Sequence, residues 1–326
     1  MAMEFKNVKM SITNKIIKQI VIGVPCFNEE DNVFKMYKAT KIITDKINKY
    51  NFSFLFVDNG STDQTVKRIV DLALADKKVK GVFLSRNFGP ESSIHAVMDL
   101  FDVQASALIM LPCDMQDPPT LIPKLISQWE DSFDLVLARY EKSNDSYFMT
   151  LMRKSFYSLF QVISNIEVPI NVSGFGLFDK KVVLAITSLP EKFRFGRGLS
   201  VWVGFKRSYV SYERQERKYG KSSYSFFDYI KHSERGVFGF SYLPLDLMVY
   251  FGFLITLLSF LFILGYLVTV LFFGNPINAS IPIMLAIVFF GGVNLSALSV
   301  IGKYIQVIVE ESKNRPIYIV DKKINF

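Results

Sequence analysis

No charged residue occurs between Leu247 and Gly302. Within that stretch, apolar segments 247–273 and 281–301 flank Gly274-Asn275-Pro276-Ile277-Asn278-Ala279-Ser280. Each exceeds the ~20 residues, at ~1.5 Å rise, that cross a hydrocarbon core ~30 Å thick. The reading is a transmembrane hairpin; a core helix of a soluble protein is the alternative. The first segment is longer than needed and has room to tilt or enter the interface. Two spans without an ionisable residue offer no polar pathway, which argues against a transporter. Cysteine is equally scarce. Cys26 and Cys113 stand alone at the ends of apolar runs, too few for a disulfide framework. No apolar run precedes Ile20, so no secretory signal is expected. Internal repeats and low-complexity stretches are missing. No nucleic-acid motif accompanies the net charge of +8, so no nucleic-acid partner is expected. The loop between the spans has no basic residue. Lys231 and Arg235 precede the first span, and Lys303, Lys313, Arg315, Lys322 and Lys323 follow the second. That asymmetry puts both ends and the large domain in the cytoplasm. The positive balance suits anionic lipid and phosphates. Asn278-Ala279-Ser280 matches a glycosylation sequon by chance, in so short a loop.

The most informative stretch present is Asp114-Met115-Gln116-Asp117-Pro118-Pro119. It follows Ser106-Ala107-Leu108-Ile109-Met110-Leu111, an apolar run that reads as a buried strand. On extended backbone, residues two apart face the same way, so Asp114 and Gln116 are expected to point at one ligand. A carboxylate and an amide oxygen beyond a strand end suit Mg²⁺ or Mn²⁺, which also take diphosphate oxygens. The prolines fix the turn. An Asx-Pro surface turn is the alternative.

The first part of the chain alternates strand and helix signals. Residues 20–25 form a β-branched run. Asn28 is expected to cap a helix whose first turn holds Glu29, Glu30 and Asp31 and whose apolar face is Val33, Met36, Tyr37, Ile43 and Ile47. Residues 52–57 are the next strand. Ser61 and Gln64 read as a capping box for a helix burying Val66, Ile69, Val70 and Ala73. A third strand, 79–84, precedes a helix marked by Ile94, Val97, Met98 and Phe101. The run ending at Leu111 is the fourth strand. This order implies an α/β fold with a parallel sheet and ligands beyond the carboxyl ends of its strands. Asn28, Glu29, Asp58, Arg86, Asn87 and the turn at Asp114 to Asp117 fall there.

Taken together, Val24-Pro25-Cys26-Phe27-Asn28-Glu29-Glu30, Val57-Asp58-Asn59-Gly60-Ser61-Thr62-Asp63, Ser85-Arg86-Asn87-Phe88-Gly89 and the Asp114 turn resemble the ordered motifs of family-2 inverting glycosyltransferases. The similarity continues through Gly174-Phe175-Gly176-Leu177-Phe178-Asp179 and Glu213-Arg214-Gln215-Glu216-Arg217-Lys218-Tyr219-Gly220-Lys221-Ser222 to Val320. It is closest to the polyprenyl-phosphate branch, dolichol-phosphate mannose synthase and bacterial undecaprenyl-phosphate glucosyltransferases. The resemblance implies a GT-A-type, Rossmann-like nucleotide-binding domain carrying a C-terminal two-helix transmembrane hairpin in a bacterial inner membrane. It implies transfer of a sugar, a hexose such as glucose, from a UDP-linked or other nucleoside-diphosphate donor to polyprenyl (undecaprenyl) phosphate, with inversion. Pro25, Phe27 and Glu29 would line the nucleotide, Asp58 would bind the base, and Arg86 would join the donor site. Asp114 and Gln116 would hold the metal. Arg139, Arg153, Arg217, Lys221 and Ser222 would meet acceptor or donor phosphates, where a guanidinium binds bidentately. A solvated basic face is the alternative for any one of them. Asp117, within reach of the metal turn, is the candidate base. The need for one is small, since a phosphate monoester is largely ionised near pH 7.

Three positions depart from the family pattern. Pro112 stands where an aspartate often begins the metal motif, Asp58-Asn59 replaces a commoner Asp-Asp, and Gly174-Phe175-Gly176-Leu177 replaces Asp-Phe-Arg-Leu. A processive polysaccharide synthase is the runner-up, disfavoured by the short hairpin and by the missing Gln-x-x-Arg-Trp motif. An inactive membrane scaffold is the alternative outside enzymes. The expected division is a cytoplasmic catalytic domain 1–224, a juxtamembrane amphipathic segment 225–243, two spans within 244–308 and a tail 309–326. Segments 153–166 and 225–240 read as interfacial helices or as ordinary core. Residues 315–320 read as a strand too short to stand alone. The resemblance implies that it pairs with a neighbouring protomer in a homotetramer; pairing within its own chain is the alternative.

Overall fold

The protein was analysed as a computed structural model, which describes residues 17–141, 169, 171–192, 194–214, 238–239, 241–274 and 280–326. Among them, strands β1 (Gln19–Cys26), β2 (Asn51–Asp58), β3 (Val79–Leu84) and β4 (Ala107–Met110) alternate with helices α1 (Val33–Thr44), α2 (Thr65–Ala75) and α3 (Pro90–Asp99). Then come α4 (Ile122–Glu130), β5 (Leu135–Tyr140), β6 (Val172–Asp179), α5 (Lys180–Ser188), α6 (Gly196–Trp202) and β7 (Arg207–Tyr212). Two long helices, α7 (Leu243–Phe273) and α8 (Ser280–Ser312), precede β8 (Val320–Ile324).

All eight strands join one sheet in the order β7-β5-β6-β4-β1-β2-β3-β8. The β1–β2, β2–β3 and β1–β4 pairs are parallel, as the alternating pattern requires. Beyond them the sheet is mixed, because β6 runs antiparallel to β4 and β5, and β8 antiparallel to β3.

Side-chain alternation divides each central strand between two cores. Ile20, Ile22, Val24, Phe52, Phe54 and Phe56 face the layer that α1, α2 and α4 cover with Val33, Met36, Ile69, Leu72, Ile122 and Leu125. Val21, Leu55, Val57 and Leu108 face the other, covered by Ala96, Val97 and Met98 of α3 and Val182, Val183 and Ile186 of α5. Strands buried on both faces must be apolar throughout, which is why β1 and β2 lack a clean polar alternation. Truncating fully buried Phe56 to Ala would cost about 3–5 kcal/mol.

The tail differs from expectation in position and partner. The strand begins at Val320 and pairs within its own chain, Val320 opposite Leu84 and Ile324 opposite Gly81. Ile319 O accepts from Ser85 N at 3.0 Å, so residues 315–319 lead into the sheet. The edge that was expected to seek a neighbouring protomer is thus occupied by β3, and Asp321, Lys322 and Lys323 place charge on the new edge, which discourages further strand addition. Residues 243–272 and 286–312 lie in helices long and apolar enough to cross a membrane. Segment 153–166 and nearly all of 225–240 lie outside the described residues.

Candidate active site

The carboxyl ends of β1, β2 and β3 continue into three loops that hydrogen-bond into one ledge. Asn28 adopts a left-handed φ of 54°, and its Oδ1 accepts from Thr62 N at 2.9 Å, while Asn28 N donates to Ser61 Oγ at 2.9 Å. Asn28 therefore caps the neighbouring loop and not α1, which begins after Asn32 without a side-chain cap. The acidic run lies before the helix for the same reason: Glu29 N donates to Thr65 Oγ1 at 2.8 Å, and Glu30 Oε2 accepts from Gln64 N at 2.8 Å. The expected Ser61/Gln64 capping box is absent. Ser61 is spent on Asp58 and Asn28, and Asp63 Oδ1 accepts from Thr65 N at 2.9 Å.

Asp58 is 1% exposed. Its Oδ2 accepts from Gly60 N and Ser61 N at 3.1 and 3.0 Å, and its Oδ1 from Ser61 Oγ at 2.5 Å. Burial raises its carboxyl above the ordinary range, although those bonds pull the other way. So enclosed, it shapes the turn that follows β2. Asn59 ties this turn to the β3 loop. Its Nδ2 donates to Asn87 Oδ1 at 3.1 Å and to Gly89 O at 2.9 Å, and its Oδ1 accepts from Phe88 N at 3.1 Å. An aspartate could not donate, so the amide at this departure from Asp-Asp has a local reason. Pro25 and Phe27 are half-buried on the ledge, Glu29 is buried with Oε2 accepting from Asn32 Nδ2 at 2.5 Å, and Arg86 is exposed with its guanidinium 4.0 Å from the Phe88 ring.

Beneath the ledge, Cys26 and Cys113 lie three residues past the paired Gly23 and Met110. Both thiols are free and buried, and Cys26 Sγ donates to Val24 O at 3.6 Å. Burial, with Cys113 alongside, pushes the Cys26 thiol well up, which leaves it inert.

The Asp114 turn completes the site from β4. It is not extended: Met115 has a φ of 59°, and Asp114 Oδ1 accepts from Gln116 N at 3.2 Å. Gln116 Oε1 accepts from Arg214 Nη2 at 2.8 Å. That bond anchors the turn to the residue two places beyond β7. Asp117, 1% exposed, accepts from the Tyr212 hydroxyl and lies 3.9 Å from Arg214 Nε. Enclosed and engaged in this way, it braces the turn against β7. The donor set suits a divalent cation held by one carboxylate, Asp114, with diphosphate oxygens completing the shell, the usual arrangement for Mg²⁺. No group of three or more His, Cys, Asp or Glu among the described residues offers an all-protein metal cage.

Across the cleft, Arg139 stacks 4.0 Å over the Tyr209 ring. Among the described residues, its buried Nε has no hydrogen-bond partner. Arg139 lies opposite Val172 on neighbouring strand β6, across a register shift that follows the pairing of Leu137 with Gly176. Gly174 is exposed although β6 is an interior strand, and a Cβ there would meet nothing within 4 Å. Two residues on, β5 comes so near that a Cβ at Gly176 would lie 2.8 Å from Val136 O. Arg153, Arg217, Lys221 and Ser222 lie outside the described residues.

Arg214, Tyr212 and Asn59 escaped selection from the sequence. Arg214 stood inside a quoted motif, but its partner Gln116 is 98 residues away, and no local spacing reports such a pairing.

Residues 21–186 match the family model described as Glycosyl transferase family 2. The chain is 34% identical over 304 residues to the uncharacterized glycosyltransferase sll0501 of Synechocystis sp., covering 93% of this chain and 94% of that protein. It is 36% identical over 305 residues to the uncharacterized glycosyltransferase YkcC of Bacillus subtilis, covering 93% and 94%. It is 35% identical over 305 residues to the SfII prophage-derived bactoprenol glucosyl transferase of Shigella flexneri, covering 93% and 98%.

Proposed function

This chain belongs to glycosyl transferase family 2, and from that premise we propose that it transfers glucose from a UDP-linked donor to a polyprenyl phosphate, of the undecaprenyl type, with inversion. The Shigella relative, matched over nearly its full length, supports this choice of sugar and lipid by its name.

The observation that carries the reading is where the apolar hairpin rejoins the sheet. The chain leaves α8 at Ser312 and enters β8 opposite Leu84, the last residue of β3. That is the carboxyl end of the parallel strands, where the ledge and the Asp114 turn lie. Glu311 near the end of α8 accepts from Lys192 N at 2.8 and 3.0 Å, and Tyr318 donates to Asp99. A site hung on its membrane anchor from this side is suited to an acceptor whose phosphate sits at the membrane surface. The basic residues flanking the spans favour the cytoplasmic side of a plasma membrane.

The donor's nucleotide would lie along Pro25, Phe27 and Glu29, with Arg86 beside it. Asp114 would hold Mg²⁺ or Mn²⁺ on the diphosphate, which when bound neutralises the charge of the leaving group. Arg139, stacked on Tyr209 and with its buried Nε unpaired among the described residues, would take a phosphate. Arg153, Arg217, Lys221 and Ser222 would add phosphate contacts from residues 142–168 and 215–237. A phosphate oxygen of the lipid attacks the anomeric carbon as that carbon's bond to the diphosphate oxygen breaks. The nucleoside diphosphate leaves with the electron pair. The second ionisation of a phosphate monoester lies near ~6, so the nucleophile needs no base, in keeping with Asp117 being tied to Tyr212.

Incubating purified protein and undecaprenyl phosphate with a panel of nucleotide sugars, then determining the product anomer by NMR, tests donor and stereochemistry together. A β-linked glucosyl lipid from UDP-α-glucose is expected. A product that retains the α configuration, or one made only from a guanosine-linked donor, contradicts the proposal.

A further inference from the structure

We infer that Arg214 is a positioning residue for the metal-bearing turn, acting through Gln116 and Asp117 to set the direction of the Asp114 carboxylate. The inference rests on the reading that Asp114 holds the cation on the donor's diphosphate.

The turn cannot hold its own shape cheaply. Met115 sits in the left-handed region at φ 59°, which costs a non-glycine residue about 1–2 kcal/mol. Such a conformation persists only when its surroundings over-determine it. On one flank the constraint is covalent, Pro118 and Pro119. On the other it is Arg214, which lies two residues beyond the end of β7. Its Nη2 donates to Gln116 Oε1 at 2.8 Å, and its Nε lies 3.9 Å from Asp117 Oδ1. Tyr212, the last residue of β7, donates to the same Asp117 oxygen, and the guanidinium lies 5.5 Å from the Tyr140 ring at the end of β5. Two consecutive side chains of the turn are thereby pinned to the ends of two strands.

What this fixes is Asp114. The backbone N of Gln116 donates to Asp114 Oδ1, so a shift of the turn's backbone at Gln116, which the Arg214 bond to its side chain resists, moves the carboxylate. A planar guanidinium reaches both Gln116 and Asp117, whereas an ammonium is a single point charge and holds one at a time. Asp117 also offsets the charge of Arg214, so the clamp does not repel a cation at Asp114.

Calorimetry with UDP, in Mn²⁺ and in chelator, separates this from its alternatives. Wild type is expected to bind UDP more tightly with Mn²⁺, and Asp114→Ala to lose that gain. Arg214→Ala should reduce the Mn²⁺-dependent gain about tenfold and leave metal-free UDP affinity unchanged, with Arg214→Lys intermediate. In an Asp114→Ala background, Arg214→Ala should have no further effect. Should Arg214→Ala fail to fold by circular dichroism, Gln116→Ala removes the same bond and must show the same loss. A wild-type Mn²⁺ gain in the folded Arg214 variant, or in Gln116→Ala, overturns the inference. So does an equal fall in metal-free UDP affinity, or additivity with Asp114→Ala, since both mean direct contact with the nucleotide. A full Mn²⁺ gain in Asp114→Ala itself sinks the underlying reading of Asp114, and the inference with it.

Discussion

Gly60→Ala is a sharp test of the ledge. Gly60 has a φ of 71°, and a Cβ there would lie 2.4 Å from Arg86 C and 2.6 Å from Asn87 N. Alanine in the left-handed region costs about 1–2 kcal/mol by itself. The contact is with backbone, so no side-chain rotation relieves it. The loop after β3 must retreat by roughly an ångström to reach ordinary van der Waals distance. That retreat stretches the three bonds Asn59 makes to it, now 3.1, 2.9 and 3.1 Å. Losing two of them at about 1 kcal/mol each brings the total to about 3–4 kcal/mol. For a domain of this size, each kcal/mol moves Tm by about 2–4 °C, so a fall of roughly 6–16 °C is expected by differential scanning fluorimetry. UDP binding should weaken in parallel, because Arg86 moves with the loop while Asp114 does not. A Tm within 2 °C of wild type, with unaltered UDP affinity, would refute the claim that these loops form one unit.

Three other outcomes are expected. Arg139→Ala removes a charge-assisted contact worth about 1.5–3 kcal/mol and should lower kcat/KM for lipid phosphate by about tenfold or more, with Tm unchanged; normal kinetics would leave it a structural cation stacked on Tyr209. Burial, and then the Arg194 guanidinium beside it, hold His95 down to about 3 against an unfolded value near ~6.5. Only the unfolded state gains this proton between those values, so stability should fall as pH drops below ~6.5, by up to about 1.4 kcal/mol per unit, and be indifferent above it; His95→Gln should flatten that slope in Tm measured from pH 7.5 to 5. An introduced cysteine replacing Asn275 should react with an impermeant thiol reagent outside the cell and one replacing Lys322 should not, the native Cys26 and Cys113 being buried; external labelling at position 322 would reverse the orientation.

The parts of the fold written in local pattern were legible. The runs at 20–25, 52–57 and 79–84 became β1, β2 and β3 because a strand buried on both faces must be apolar, and the uncharged stretch became α7 and α8. Caps were misread at Asn28 and Ser61 because both side chains bond a neighbouring loop more than 30 residues away, which no local spacing reports. The direction of β6 and the partner of β8 were equally hidden, since register across a sheet is set by distant edges. At the site, the Asp114 turn was found by composition. The contacts of Gln116 and Asp117 were not, because Tyr212 and Arg214 arrive only when β7 docks beside β5.

The measurement that bears most directly on the central claim is the mass of the lipid after purified protein is given UDP-glucose, undecaprenyl phosphate and Mg²⁺ or Mn²⁺. The account predicts a hexosyl undecaprenyl phosphate with wild type, and little or none with Asp114→Ala or in excess chelator. Unmodified lipid with wild type, or the same product from Asp114→Ala, would contradict it.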